Sequence, residues 1–210
     1  GVGAGIVVNV IDTDTIARIG STTSHPVTID ARGAISLSAI SGIVALAVDP
    51  ILGFAIPDVT AVALGGAASG SSAAVGGALI VDVVSITTRA ELGDGASINQ
   101  TVGSLPGQSL SLVAHDDTEF VELAGAIGLS AGSAGVGFAL LVDVFNKDVR
   151  AVIGSNVRAT VGGSVLVEAI ARESFTMLAA GAAAASSAGV TGSFVVLIVN
   201  QGADSGTRAQ

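Results

Sequence analysis

The 210-residue chain has no cysteine, no tryptophan, no tyrosine and a single lysine, Lys147. Without cysteine there is no disulfide framework, a condition met by secreted bacterial proteins that avoid thiol chemistry and equally by cytosolic ones. Eight basic residues against 17 acidic ones leave a net charge of −9. No basic stripe exists to displace counterions from a phosphate backbone, which excludes nucleic acid as a partner. Three uncharged stretches, 59–81, 123–142 and 174–203, are long enough to cross a bilayer as helices, and Gly128 and Gly132 have the spacing of a transmembrane close-packing motif. Gly-Ser clusters interrupt them, however, and they lack Trp or Tyr anchors and a one-sided flank of Lys and Arg, so the pattern argues against bilayer insertion.

What is present is aliphatic and repetitive. Half the residues are hydrophobic, the mean hydropathy is +0.78, and 29 glycines dilute a content of Val, Ile, Leu and Ala. That is ample apolar surface to offset the entropy of ordering, so the chain is not disordered. One motif is written four times, as VGAGIVVNV (2–10), VGGALIVDV (75–83), VGFALLVDV (136–144) and VTGSFVVLI (190–198). Three copies run on to a second signature, IARIG (16–20), RAELG (89–93) and RAVIG (150–154); across 75–93 and 136–154, 10 of 19 residues are identical. Residues 1–210 therefore read as a single repeat array, with starts near 1, 74, 135 and 189 and both ends expected to fall inside a repeat. The intervals shorten from 73 to 61 to 54 residues. Proline and glycine clusters at 49–58 and 103–107 account for part of the excess as loops added to a fixed frame.

Within one repeat the hydrophobic period is two. Leu140, Val142 and Val144 alternate with Leu141, Asp143 and Phe145, the pattern of a strand with both faces largely apolar and therefore covered on both sides. A polar turn is expected at 146–148, followed by short strands at 149–153, 156–161 and 164–171 separated by glycine-bearing turns. The last of these recurs with Ile35, Leu37 and Ala39, with Leu110, Leu112 and Ala114, and with Val165, Val167 and Ala169 as its inward series. Small-residue runs at 64–72, 124–133 and 179–187 close each repeat; they let backbones or sheets approach closely and are expected to form tight β-hairpins. The fold expected is all-β, an elongated β-solenoid or stacked-sheet repeat fibre with Gly/Ala/Ser-rich hairpins.

VGGALIVDV followed by RAELGDGASI (89–98) resembles the repeats of very large secreted bacterial surface exoproteins, the leukotoxin-type filamentous adhesins and the haemagglutinin-like proteins of two-partner secretion. The resemblance spans the chain and implies a rod exposed at the cell surface, without catalytic residues. It makes the expected function structural or adhesive, in an extracellular fibre that self-associates into a filament or bundle and meets a host or neighbouring-cell surface. Two rivals stand beside it: a membrane-inserting toxin segment, permitted by the hydropathy, and a β-helical enzyme acting on polysaccharide, which needs carboxylates gathered on one groove. The uncharged run 174–203, with its two-sided strand at 194–199, is expected to bury Val195, Leu197 and Val199 between neighbouring coils or chains.

Few residues invite a chemical reading. Gly1, Gly3 and Gly5 precede a strand, whereas a dinucleotide loop follows one and opens a helix, so no cofactor loop is assigned. His115, Asp116, Asp117, Thr118 and Glu119 form the densest polar cluster, read as a solvated turn because its counterparts in other copies are unrelated. His25 has no partner pattern for catalysis, and Asn99 opens a glycosylation sequon. Asn9, Asp82 and Asp143 hold one equivalent position that the fourth copy fills with Leu197. They are the metal candidates, as oxygen ligands for Ca²⁺, set against a polar ladder that faces a loop or water.

Overall fold

A computed structural model describes residues 1–45, 60–200 and 206–210. The described residues form twelve strands and no helix: β1 (Val2–Ile19), β2 (Thr28–Ile29), β3 (Ile35–Ile43), β4 (Ala61–Ser69), β5 (Ala74–Leu92), β6 (Ser97–Ile98), β7 (Leu110–Ser130), β8 (Ala134–Ile153), β9 (Arg158–Ala159), β10 (Val165–Ala185), β11 (Ala188–Asn200) and β12 (Gly206–Ala209). No helix is therefore long and apolar enough to cross a membrane among these residues.

The strands form three parallel sheets. The first has the order β1-β5-β8-β11, with β12 also on β8; the second is β10-β7-β3, with β4 also on β7; the third is the short β2-β6-β9. The chain visits them in rotation, first to third to second, and then returns to the first one strand further along. The register pairs Val2 with Val75, Val75 with Val136 and Val136 with Val190, so the repeated motifs stand in one row across the first sheet. At the corner entering the third sheet, Gly95 (φ 72°) and Asn156 (φ 58°) precede the paired β6 and β9 by two residues each, and both take the left-handed conformation that these types tolerate.

Three expectations are corrected. The small-residue runs do not make hairpins. The run 64–72 lies mostly within β4 and leads into β5, yet these strands pair with β7 and with β1 and β8, always parallel, so the chain folds over as an arch whose arms face each other through side chains. Glycine makes this possible: a Cβ on Gly65 would lie 1.6 Å from the Gly77 carbonyl oxygen across the arch, and one on Gly137 would lie 2.1 Å from that of Ala182. The turn expected at 146–148 is absent, because β8 runs through it to Ile153. The short strands expected to end near 39 and 114 continue, to Ile43 in β3 and Ser130 in β7. The 103–107 cluster does lie between strands; the loop expected at 49–58 lies outside the described residues.

Strand alternation puts one row of each long strand between the first and second sheets and the other row outside. The interior is layered. Nearest the arches lies an alanine-rich core of Ala61, Ala63, Ala78, Ile80, Ala124, Ala126, Ala139 and Leu141. Further in, Phe120, Phe145 and Phe175 pack edge-on around Val84 and Ile86, with Phe120 and Phe145 ring centroids 4.7 Å apart. A third cluster next to the short sheet includes Leu37, Leu92, Ile98, Leu110, Leu112 and Ala114. The inward series expected at 35–39 and 110–114 is thus in the core.

The outward row is where the expectation of two covered faces fails. On the first sheet Val8, Val10, Val83, Phe138 and Phe194 are exposed, the first two by 62% and 75%. Opposite, on the second sheet, Leu64, Ile127, Leu129 and Leu178 are exposed as well. The apolar outward band ends sharply: Val10 is followed on that row by Asp12 and Asp14, Val144 by Asn146, and Val121 is preceded by Glu119 and Asp117.

Candidate metal centre

Between the alanine-rich layer and the phenylalanine layer the interior turns acidic. Asp82 on β5 and Asp143 on β8 are register partners, and Asn9 on β1 is the partner of Asp82. All three hold the inward parity of their strands, so the ladder does not face a loop or water as expected; Asp82 and Asp143 are fully buried. From the second sheet Glu122, on β7 and 1% exposed, is brought into the same chamber. One ligand oxygen from each of Asp82, Glu122 and Asp143 lies within 4.8 Å of the others. Leu197 of β11 continues the row and ends it chemically.

The hydrogen bonding of this cluster is incomplete. Asn9 Nδ2 donates to Asp82 Oδ1 at 2.9 Å. Asp82 Oδ2 and both oxygens of Asp143 and of Glu122 have no donor in reach. The neighbours within bonding range of Glu122 are the two aspartates, acceptors like itself, so a proton or a cation has to lie between them. Burial pushes the Glu122 carboxyl up to about 10, reinforced by hydrogen bonding to Asp82 and Asp143 from its protonated form and by repulsion from both. Burial also raises Asp143, to about 6, with the Asp82 charge adding to it and the bond from Glu122 opposing it.

A second buried acid shows what a satisfied site looks like in the same interior. Asp116 accepts from Ser41 Oγ at 2.5 Å and Thr118 Oγ1 at 2.6 Å, and it is ion-paired with Lys147, which also reaches Glu173 at 3.0 Å. The chain's one lysine is thereby committed, two inward positions along β8 from Asp143 with Phe145 between them. The polar stretch 146–148 stays inside a strand for this reason: Lys147 neutralises Asp116, and Asp148 pairs with Arg89 and Arg150.

The remaining sequence candidates are not brought together. His115 to Glu119 is not a turn but the middle of β7, and alternation splits it, with Asp116 and Thr118 buried and Asp117 and Glu119 exposed on the other face. His25 closes an isolated bridge with Thr22 and lies 3.1 Å from Ser24 Oγ. Gly3 and Gly5 are inside β1, pressed against the backbone of β4. Asn99 is buried and accepts from Ala31 N, its amide nitrogen sealed from solvent, so the folded chain offers no glycosylation site there. Glu122 was missed by sequence reasoning although a signal existed. Carrying the period of two from Leu110 through Asp116 and Phe120 puts Glu122 on the inward row beside Ala124.

No protein-family model, curated protein or solved structure matches the chain.

Proposed function

We propose that this chain is a non-enzymatic structural or adhesive segment of a bacterial extracellular fibre, built as a parallel β-solenoid whose coils stack along the rod. Its partners are further copies of itself, and rods associate laterally through their outward faces. The observation that carries the reading is the outward row of the first sheet, apolar at every position from Val2 to Val10, Val75 to Val83, Val136 to Val144 and Val190 to Ile198. Four strands spaced about 4.8 Å apart and nine residues long make a patch of roughly 500–600 Å², at the limit of what monomers leave uncovered. Parallel in-register pairing supports axial stacking, since every coil repeats the hydrogen-bonding edge of the last. A glycan-acting site is disfavoured by the burial of the converging carboxylates, which no polysaccharide could reach.

Val195, Leu197 and Val199 pair with Leu141, Asp143 and Phe145 on the inward row, but on the edge strand β11 they are 44%, 39% and 43% exposed and not buried as expected, so substituting them tests the stacking of a further coil and not lateral contact. The outward residues Val8, Val83 and Phe138 are the proper targets. Electron microscopy of the wild-type chain is expected to show filaments or bundles, and the triple variant Val8→Asp, Val83→Asp, Phe138→Asp is expected to disperse with its β-type circular dichroism intact. Dispersed compact wild-type monomers would overturn the proposal. A bilayer-inserted segment is the second reading, favoured by one feature: the outward row is apolar over nine residues on the first sheet and on the central strand β7 of the second, about 30 Å of strand and the thickness of a hydrocarbon core. Co-flotation of the wild-type chain with phosphatidylcholine vesicles, in place of self-association, would support that reading over the first.

A further inference from the structure

The carboxylate trio poses a problem that the fibre reading does not solve. Three acceptor-only groups converge in a chamber walled by Ile80, Leu141 and Ala124 on one side and by Val84, Phe120 and Phe145 on the other. Each of the three is at least 99% buried, five of their six oxygens have no donor, and among the described residues no cationic side chain pairs with them. A single proton on Glu122 can be given to only one aspartate at a time: given to Asp82 it leaves Asp143 with no donor at all, and given to Asp143 it leaves Asp82 with the Asn9 amide alone. Buried charge without a partner is among the most costly arrangements a core can hold. Asp116, in the same interior, has all the donors that this cluster lacks.

We propose that Asp82, Glu122 and Asp143 bind one divalent cation of the calcium class between the two sheets, with Asn9 as a positioning residue that orients Asp82. All the donors are carboxylate oxygens, which select hard cations over soft ones. Five free oxygens, some used in pairs from one carboxylate, approach the six to eight that calcium takes at about 2.3–2.6 Å, and a 4.8 Å spread is spanned by two such bonds. Magnesium fits less well, because it keeps several waters in a tight octahedron and the chamber is closed by apolar walls. Since the ligands come from the second and third copies and from both sheets, the ion enters as the strands close and is then held, tying β7 of the second sheet to β5 and β8 of the first. The site belongs to the first three copies only, as Leu197 interrupts the row.

The test is refolding of the full chain from urea in buffer with 1 mM CaCl₂ or with EDTA, desalting, and metal analysis by mass spectrometry. The wild-type chain is expected to retain about one calcium per chain, and to unfold at higher urea in calcium than in EDTA, as binding to the folded state alone requires. Glu122→Gln keeps the shape, removes one charged ligand and relieves the acid crowding, so it is expected to fold in EDTA and to lose retained calcium at least roughly tenfold. Asp143→Asn provides a second such variant should the first not fold. Wild-type protein that folds in calcium yet retains none, with identical urea midpoints in calcium and EDTA, would overturn the proposal and leave a proton as the bridge. Equal calcium retention by wild type and a folded variant would overturn it too, by placing the ion on exposed acids.

Discussion

Substituting one glycine tests whether close approach of the arch arms holds this fold together. Gly65 on β4 is buried, and a methyl group there would sit 1.6 Å from the carbonyl oxygen of Gly77 on β5. Ordinary contact begins near 3.4 Å, so the sheets must separate locally by about 1.5–2 Å, enough to forfeit much of the dispersion between facing atoms. The obstacle is backbone on both sides and cannot rotate away. Overpacking of this kind costs about 1–3 kcal/mol, against about 0.5–1 kcal/mol gained because alanine is less disordered than glycine in the unfolded chain. Gly65→Ala is thus expected to destabilise by about 2 kcal/mol net, the upper part of that range. The control is the adjacent Gly66→Ala: Gly66 faces outward, its nearest neighbour to a new methyl lies at 4.0 Å, and the same entropy gain should leave it neutral or slightly more stable. Urea unfolding followed by far-UV circular dichroism reads both, and with a slope of about 2 kcal/mol/M the Gly65→Ala midpoint should fall by about 1 M. Equal midpoints for the two variants would refute the claim that arch spacing is set by glycine on the inward row.

Two further outcomes follow from the buried charges. Lys147→Met removes the cation from Asp116 in the core while keeping the volume, and it is expected to cost about 3–5 kcal/mol in thermal or urea unfolding, with much of the loss recovered by adding Asp116→Asn; an unchanged midpoint would mean that the pair is hydrated. In EDTA, the Glu122 carboxyl stays protonated in the folded chain up to about 10 while its unfolded counterpart ionises near 4.5. The folded state then holds the extra proton throughout that window, so stability is greatest below pH 4.5 for this group and falls as pH rises, by at most about 1.4 kcal/mol per pH unit. Glu122→Gln should flatten that slope between pH 5 and 9, and an unaltered slope would show that the proton resides elsewhere.

Much of this architecture was legible in the residues themselves. The motif at 2–10, 75–83, 136–144 and 190–198 marks the row that the register builds, because stacked coils place like residues on like residues. The period of two marks strands wherever β-branched residues alternate, and it marks the equivalence of Asn9, Asp82 and Asp143. Three things needed the tertiary structure. Glycine, alanine and serine permit a hairpin and an arch equally well, and only the pairing of β4 with β7 and of β5 with β1 and β8 decides between them, since the hydrogen bonds leave the local segment altogether. Polar residues at 115–119 and 146–148 look like turns by composition, yet they stay in strands because their partners, Ser41, Arg89, Lys147 and Glu173 among them, arrive from other coils. Glu122 meets Asp82 and Asp143 only because two sheets face each other at that level. A strand's own alternation fixes which side a residue takes, and nothing local fixes what waits on that side.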